Sequence, residues 1–353
     1  MKKITINMLS SADKVAGQGV GSAYKEQVAL VKEGASNLFD VSINSRKNSD
    51  IIHVHSVDLG HYFRLKKKHS VSVCYVHFLP TTLDGSIKLP KIAFPVFKKY
   101  VVSFYKKADY LVVVNPTFID ELEKIGIDRK KVTYIPNYVS KENFYKKSPK
   151  EVLKIKEKYG VDKDSFVVLG AGQVQNRKGV KDFVEVAKKT PEITYIWCGG
   201  FSFGRITDGY EELKKLVDNP PKNVKFLGII PREEMNDIYN MADILFVPSY
   251  NELFPMTILE AVNSDTPLVL RDLYLYEDIL FKKYKKGKDN NEFVKIIEKL
   301  KNDKKLYKEC QEDSKFISEY YSKENVLKLW IDYYTKVYNE NKDKINGKKK
   351  GSK

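Results

Sequence analysis

Short apolar runs alternate with helix-length amphipathic stretches along almost the whole chain. In the first half the runs fall at residues 3–9, 37–43, 51–55, 71–77, 110–114 and 132–135. A second series follows at 166–171, 193–198, 224–227, 244–247 and 267–270. Val, Ile and Tyr dominate these runs, as expected of parallel strands buried on both faces. Strand–helix alternation predicts right-handed βαβ crossovers and doubly wound sheets. The series breaks in a polar, Lys-rich segment at 140–150, just after Ile135-Pro136-Asn137. The expected fold class is therefore α/β, with two Rossmann-like, doubly wound domains at 1–145 and 146–320. They would face each other across a cleft and bind ligands at the C-terminal ends of their strands. Three helical patterns close the chain. The last carries Val326, Trp330, Tyr333, Tyr334 and Val337 at helical spacing, which predicts a core-facing stripe. Residues 321–340 are read as a separate closing helix, and the Lys-, Gly- and Ser-rich stretch 341–353 as a disordered basic tail.

The chain has 353 residues, enough for two domains of ordinary size. Lys and Arg number 62 against 46 Asp and Glu, a formal net charge of +16, so an anionic partner is expected. Cys74, Cys198 and Cys310 form no close pair, which argues against a disulfide or zinc framework and fits a reducing compartment. The sequence shows no secretion signal and no run of 18 apolar residues, so no membrane span is expected.

The sharpest motif is Pro248-Ser-Tyr-Asn-Glu252-Leu-Phe-Pro-Met-Thr-Ile-Leu-Glu260. Two glutamates flank seven residues where a strand passes through a loop into a helix starting near Thr257. A helix N-terminus carries unpaired N–H groups and partial positive charge, so it attracts a phosphate. One carboxylate can meet the group being transferred while the other bonds a diol further back on the same ligand, a layout that suits a nucleotide-sugar. A second motif, Gly172-Gln-Val-Gln-Asn-Arg177-Lys178-Gly179, follows the first strand of the second half. Small residues there admit a ligand close to the backbone, and Arg177 and Lys178 can neutralise a diphosphate. A third, Gly17-Gln-Gly19-Val-Gly21, lacks G-x-G-x-x-G spacing because Ser22 holds the last position. It is read as a flexible loop over bound phosphates. His77 ends the fourth strand, where an imidazole can bond a sugar hydroxyl or move a proton. His53 and His55 share a strand face, but no third ligand has matching spacing, so no metal site is expected.

Taken together, Glu252-x7-Glu260, the Gly172…Gly179 loop, Asn223-Val-Lys-Phe-Leu-Gly228 and the His77 strand end resemble the retaining glycosyltransferases of family 4, which have the GT-B fold. The resemblance covers about residues 3 to 338. It implies a nucleoside-diphosphate sugar held mainly by the second domain, with the final helix crossing back to the first. Glu260 would bond the ribose, and Lys178 with Arg177 the diphosphate. Glu252 and the backbone at Leu253, Phe254, Met256 and Thr257 would hold the sugar. His77 would lie near the reacting carbon and Gly19 over the phosphates. No cofactor is implied, because the UDP-sugar is a substrate, and no metal is strictly required. The chain departs from the family pattern at Gln173, where an arginine is common, and at Pro255, which has no N–H to offer.

The acceptor is addressed by residues 86–107. On a helical wheel Lys88, Lys91, Lys98, Lys99 and Lys106 gather on one side. Ala93, Val96, Phe97, Tyr100, Val101 and Phe104 gather on another. A Lys-rich amphipathic helix with aromatics can lie in an anionic membrane interface. Tyr62-Phe-Arg-Leu-Lys-Lys-Lys68 adds a second basic, aromatic patch. The segments 9–24, 172–179 and 270–273 resemble the glycolipid synthases of Gram-positive bacteria that add a second hexose to monoglucosyl-diacylglycerol. That resemblance implies an α-linked diglycosyl-diacylglycerol, a lipoteichoic-acid anchor, made from UDP-glucose or UDP-galactose. The enzyme would sit peripherally on the cytoplasmic face of the plasma membrane. The alternatives are a soluble or polysaccharide acceptor, or diacylglycerol itself. A nicotinamide-dependent oxidoreductase leaves the paired glutamates unexplained, and a nucleic-acid binder lacks any recognised motif.

Overall fold

The computed structural model describes residues 2–11, 19–79, 93–202 and 204–347. They separate into two compact units, each with a six-stranded parallel sheet. The first unit holds the described residues up to 79, 93–138 and 322–347; the second holds 139–321. The second unit thus opens at Val139, ahead of the Lys-rich segment.

In the first unit the chain runs β1 (Ile4–Leu9), α1 (Gly19–Gly34), β2 (Phe39–Ile43), β3 (Ile51–Val54), α2 (Leu59–Tyr62), β4 (Val71–Val76), α3 (Ala93–Lys107), β5 (Tyr110–Val113), α4 (Thr117–Lys124) and β6 (Val132–Tyr134). The sheet order is β2-β1-β3-β4-β5-β6. Every residue of β3 and β4 is buried, including the polar His53 and Ser72 within them, as in strands covered on both faces.

The second unit runs α5 (Pro149–Lys158), β7 (Val167–Ala171), α6 (Val180–Lys189), β8 (Thr194–Cys198), α7 (Tyr210–Asp218), β9 (Val224–Gly228), α8 (Met235–Met241), β10 (Ile244–Val247), α9 (Met256–Val262), β11 (Leu268–Arg271), α10 (Leu275–Leu280), β12 (Lys285–Gly287), α11 (Asn290–Asn302) and α12 (Lys304–Tyr320). Its order is β12-β11-β10-β7-β8-β9. Ser148 starts α5 with a reciprocal capping box: its hydroxyl accepts from the Glu151 N–H, the Glu151 carboxylate reaches back, and Pro149 presets the first turn. Phe183, Tyr195, Trp197, Phe246 and Phe293 fill the core on one side of this sheet.

The chain then returns to the first unit through α13 (Lys323–Glu340) and α14 (Lys342–Ile345). Ser322 caps α13 by accepting from the Asn325 N–H. Val326, Trp330, Tyr333, Tyr334 and Val337 are buried, so the stripe read from the sequence does face a core. Trp330 stacks on Tyr334 at 5.2 Å between centroids and meets Tyr75 edge-on at 5.5 Å. Within the stretch 341–353 expected as a disordered tail, residues 341–347 are ordered. Ile345 is buried, and Lys344 Nζ lies 2.9 Å from an Asp109 carboxylate oxygen. Residues 348–353 lie outside the described residues.

All eleven runs expected as strands are strands, with ends shifted by one or two residues. The twelfth, β12, has the sequence Lys-Lys-Gly and borders the second sheet. It carries no apolar signal because short, lysine-bearing edge strands need none. Trp330→Ala should destabilise the first unit by about 3–5 kcal/mol through lost burial and a residual cavity. Urea unfolding followed by fluorescence and circular dichroism would measure this.

Candidate active site

In the second unit the chain builds outward from β7 in both directions, so strand order reverses between β7 and β10. Loops leaving the C-terminal ends of two such strands diverge and open a crevice, the usual ligand position in a doubly wound sheet. Both main motifs hang there: residues 172–179 follow β7 and residues 248–255 follow β10.

The two loops are tied to each other. The Tyr250 N–H donates to the Arg177 carbonyl at 2.9 Å, and Arg177 Nη1 donates to the Asn251 carbonyl at 2.9 Å. Lys178 Nζ lies 2.5 Å from Glu252 Oε1, and Arg177 Nη1 lies 3.9 Å from Glu252 Oε2. Gly179 makes the approach possible. Its φ is +69°, and a Cβ there would collide with the Pro248 carbonyl oxygen. Arg271, at the end of β11, braces the same turn. Its Nε donates to the Pro248 carbonyl at 2.8 Å, its Nη2 meets Asp182 at 3.0 Å, and its guanidinium lies over the Tyr250 ring.

Burial works against the charge on Glu252, but the nearby Lys178 and Arg177 outweigh it and hold the carboxyl below its ordinary range. Burial also draws the Lys178 ammonium down, and Glu252 opposes that shift. Arg177 Nε is buried without a hydrogen-bond partner among the described residues. Gln173, half-buried, lies in the same loop.

Glu260 projects from α9, which starts at Met256, one residue earlier than expected. Its Oε1 lies 2.5 Å from Arg232 Nη1, and its Oε2 accepts from the Tyr239 hydroxyl at 2.7 Å. A carboxylate has about four acceptor positions, so two remain for a ligand diol. Thr257 is half-buried in the first turn of α9, and Met256 is buried. The Phe254 ring packs on Tyr321 at 5.1 Å, which turns its side chain into the core; Leu253 beside it is half-buried. Arg232, Tyr239 and Arg271 were not singled out as site residues from the sequence. A basic residue just past Gly228-Ile-Ile-Pro231, at a strand's C-terminal end, was the available signal for Arg232.

In the first unit His77 follows the last residue of β4 and is buried. Its Nε2 lies 3.4 Å from His55 Nδ1, and its ring lies 4.5 Å from that of Tyr75. Burial pushes its pKa down to about 3, so the imidazole is neutral near pH 7. Among the described residues no group of three or more His, Cys, Asp or Glu could hold a metal ion.

Three expectations for this unit change. Gly19 and Gly21 form the start of α1, not a loop, because Gly19 already has helical backbone; Gly17 lies outside the described residues. Phe104 does not face outward: it is fully buried with Val101 and Tyr105, and its ring packs near those of Tyr62 and Tyr100. Phe97 and Lys98 are half-buried and Lys99 is exposed, while the Tyr100 hydroxyl is bound to the Val57 carbonyl at 2.7 Å. Lys88 and Lys91 lie outside the described residues. The third change concerns the second basic patch, which is split along the unit. Lys66, Lys67 and Lys68 line a recess of about 490 Å³ with Lys344, ahead of Val71 and so at the end of β4 opposite His77. The outward apolar groups near α3 are Leu59, Phe63 and Val96, each at least 66% exposed.

Two doubly wound units, with cations and a carboxylate meeting at a switch point, define a nucleotide-sugar-dependent transferase of the GT-B class. Residues 151–315 match the family described as Glycosyl transferases group 1, and residues 39–143 match Glycosyltransferase Family 4. The α-galactosylglucosyldiacylglycerol synthase of Streptococcus pneumoniae is 46% identical over 95% of this chain and 90% of its own length. The processive diacylglycerol α-glucosyltransferase of Acholeplasma laidlawii is 29% identical over 80% of this chain and 83% of its own. Crystal structures of Anabaena HepE with UDP-glucose and of a Thermosynechococcus elongatus sucrose-phosphate synthase share the fold. Their TM-scores are 0.76 and 0.78, each at 15% identity, covering 94% and 96% of this chain and all of theirs. The chain belongs to the family 4 glycosyltransferases.

The buried imidazoles give the protein a pH signature. His53, like His77, is pushed by burial to about 3. Between pH 6.5 and about 3 the unfolded chain binds protons that the folded one refuses, so stability is lost as pH falls below 6.5. Each histidine contributes a slope of up to about 1.4 kcal/mol per pH unit. Thermal melts should show a lower midpoint at pH 5 than at pH 7, and a shallower dependence in His53→Gln.

Proposed function

We propose that this chain transfers a hexose from a UDP-sugar to monoglucosyl-diacylglycerol, giving an α-linked diglycosyl-diacylglycerol with retention of configuration. The observation that carries this reading is the convergence of Lys178, Arg177 and Glu252 at the switch point of the second unit. The 46% identity to the S. pneumoniae synthase supports the glycolipid acceptor and favours galactose among the two donors left open by the sequence.

In this reading the diphosphate lies against the 172–179 loop and meets Arg177 and Lys178. As the anomeric C–O bond breaks, charge grows on the departing phosphate, and fixed cations in a dry site stabilise that growth more than they do the ground state. The Lys178–Glu252 contact is then shared or exchanged for phosphate, which leaves Glu252 able to accept from sugar hydroxyls. Glu260 takes the ribose hydroxyls, with Arg232 and Tyr239 fixing its orientation. His77, neutral at working pH, is assigned to the transferred sugar as a hydrogen-bond partner rather than a cationic acid. Side-chain cations take the leaving-group charge, and no metal is strictly required.

Among the described residues no helix is long and apolar enough to cross a membrane. We place the enzyme peripherally on the cytoplasmic face of the plasma membrane, docked through the face formed by α2 and α3. Exposed Leu59, Phe63 and Val96 supply apolar contact there, and Lys98, Lys99 and Lys106 supply attraction to anionic lipid. A second reading, with diacylglycerol itself as acceptor, is favoured by the similarity to the A. laidlawii enzyme.

Radiolabelled UDP-galactose and UDP-glucose, offered separately with micelles of monoglucosyl-diacylglycerol or diacylglycerol, would decide. Label from UDP-galactose in a diglycosyl lipid is expected. Label in a monoglycosyl lipid supports the second reading, and no lipid label with slow nucleotide-sugar hydrolysis overturns both. In the same assay Lys178→Ala should lower kcat by about 10²–10³-fold. Glu260→Ala should act mainly on the donor, raising its KM by about ten-fold.

A further inference from the structure

One face of the first sheet departs from the apolar rule. His53 and His55 on and beyond β3, with Tyr75 and His77 at the end of β4, present four polar rings where parallel strands normally carry aliphatic side chains. Helices α1 and α13 contribute Gln27 and Tyr334 to the same cluster. Departures from local consistency of this kind concentrate at functional sites.

The hydrogen bonds define an order. Gln27 Nε2 donates to the Tyr334 hydroxyl at 2.9 Å, and that hydroxyl lies 2.7 Å from His53 Nδ1. The Gln27 amide nitrogen is also 3.5 Å from the same ring nitrogen. Nδ1 is thus the hydrogen-bonded nitrogen of His53, and its Nε2 is buried without a partner among the described residues. The His53 ring packs on His55 at 4.3 Å between centroids, and Tyr24 meets His55 edge-on at 4.9 Å. His55 Nδ1 then faces His77 Nε2 at 3.4 Å, while His55 Nε2 is buried without a partner among the described residues. An orphaned buried N–H is rarer than an orphaned lone pair. The proton of His55 therefore belongs on Nδ1, where it is donated to His77.

We propose that His55 is a positioning residue: packed between His53 and Tyr24, it donates from Nδ1 to His77 Nε2 and so holds His77 with its proton on Nδ1. His77 is then fixed in ring orientation and in tautomer, and it offers an N–H donor on Nδ1 rather than on Nε2. Its value to catalysis rests on the assignment of His77 to the transferred sugar made above. Such an arrangement is a hydrogen-bond device. Burial keeps all three imidazoles neutral, so none of them can relay charge near neutral pH.

The test is histidine nitrogen NMR on the ligand-free, full-length protein, combined with transfer kinetics. The wild type should show both His55 and His77 protonated on Nδ1. His55→Phe keeps the ring volume but removes the donor; it should mix the His77 tautomers and lower kcat by about ten-fold, with donor KM changed by less than about two-fold. His55→Asn keeps an N–H near the Nδ1 position and should recover most of the rate. If His55→Phe fails to fold, His55→Met, which also removes the donor, should mix the His77 tautomers and lower kcat in the same sense. A wild-type His77 protonated on Nε2 overturns the proposal. So does His55→Phe with an unchanged His77 spectrum, or with a changed spectrum and an unchanged rate. The tautomer is read without any sugar, so it is independent of the function assigned to His77. Wild-type transfer by His77→Ala would instead remove that assignment.

Discussion

The meeting of Lys178 with Glu252 is the contact around which the second unit is arranged. Both groups are largely withdrawn from water, and a buried charge left alone would cost several kcal/mol. The chain must therefore bring together two loops that are 74 residues apart in sequence. Adjacency of β7 and β10 at the strand-order reversal does most of this. Gly179 lets the backbones touch, Arg271 fixes the Pro248 turn, and Arg177 bonds the opposite loop through its side chain and its carbonyl. A buried ion pair is weak evidence for stability, because desolvation cancels much of the attraction. Its use here is geometric. It holds a cation and a carboxylate in fixed positions on two facing loops.

The first unit is held by a different kind of force. Its sheet face is covered by aromatic rings and neutral imidazoles, and α13 supplies the cover. The end of the chain thus completes the core that its beginning started, with Tyr334 bonded to His53 across 281 residues. Unpaired ring nitrogens at His53 and His55 are expensive in such a place, whereas aliphatic side chains would pack there at no polar cost. The first unit is therefore less stable than its sheet could support, and the deficit lies on the strands that lead to His77.

The strands were legible because burial on both faces leaves an apolar run that needs no partner to be recognised. β12 was not, since an edge strand of Lys285, Lys286 and Gly287 is defined only by what it pairs with. The Glu252, Glu260, Arg177 and Lys178 positions stood out because strand–loop–helix punctuation marks strand ends. Arg232, Tyr239 and Arg271 did not, since their roles depend on which loops the sheet order makes neighbours. Phe104 and Val96 illustrate a second limit. Both fall on the apolar side of the helical wheel, yet one is fully buried and the other 66% exposed. A wheel gives the direction of a face but not how far along the helix the protein covers it. Gly19 and Gly21 show a third: glycines near a strand end read as a loop, while the backbone there is already helical.

The two units divide the chemistry by charge. The second gathers Arg177, Lys178 and Arg232 around two carboxylates, an arrangement whose strength depends on ionised groups in a dry setting. That is the environment in which a diphosphate gains most from its partners as charge develops. The first unit offers His77 as a neutral ring whose protonation is suppressed by burial. A neutral ring can both donate and accept, which matches uncharged hydroxyls rather than an anion. Burying the histidines and pairing the lysine are thus two answers to one problem: each strand end holds its polar groups in a single charge state away from water.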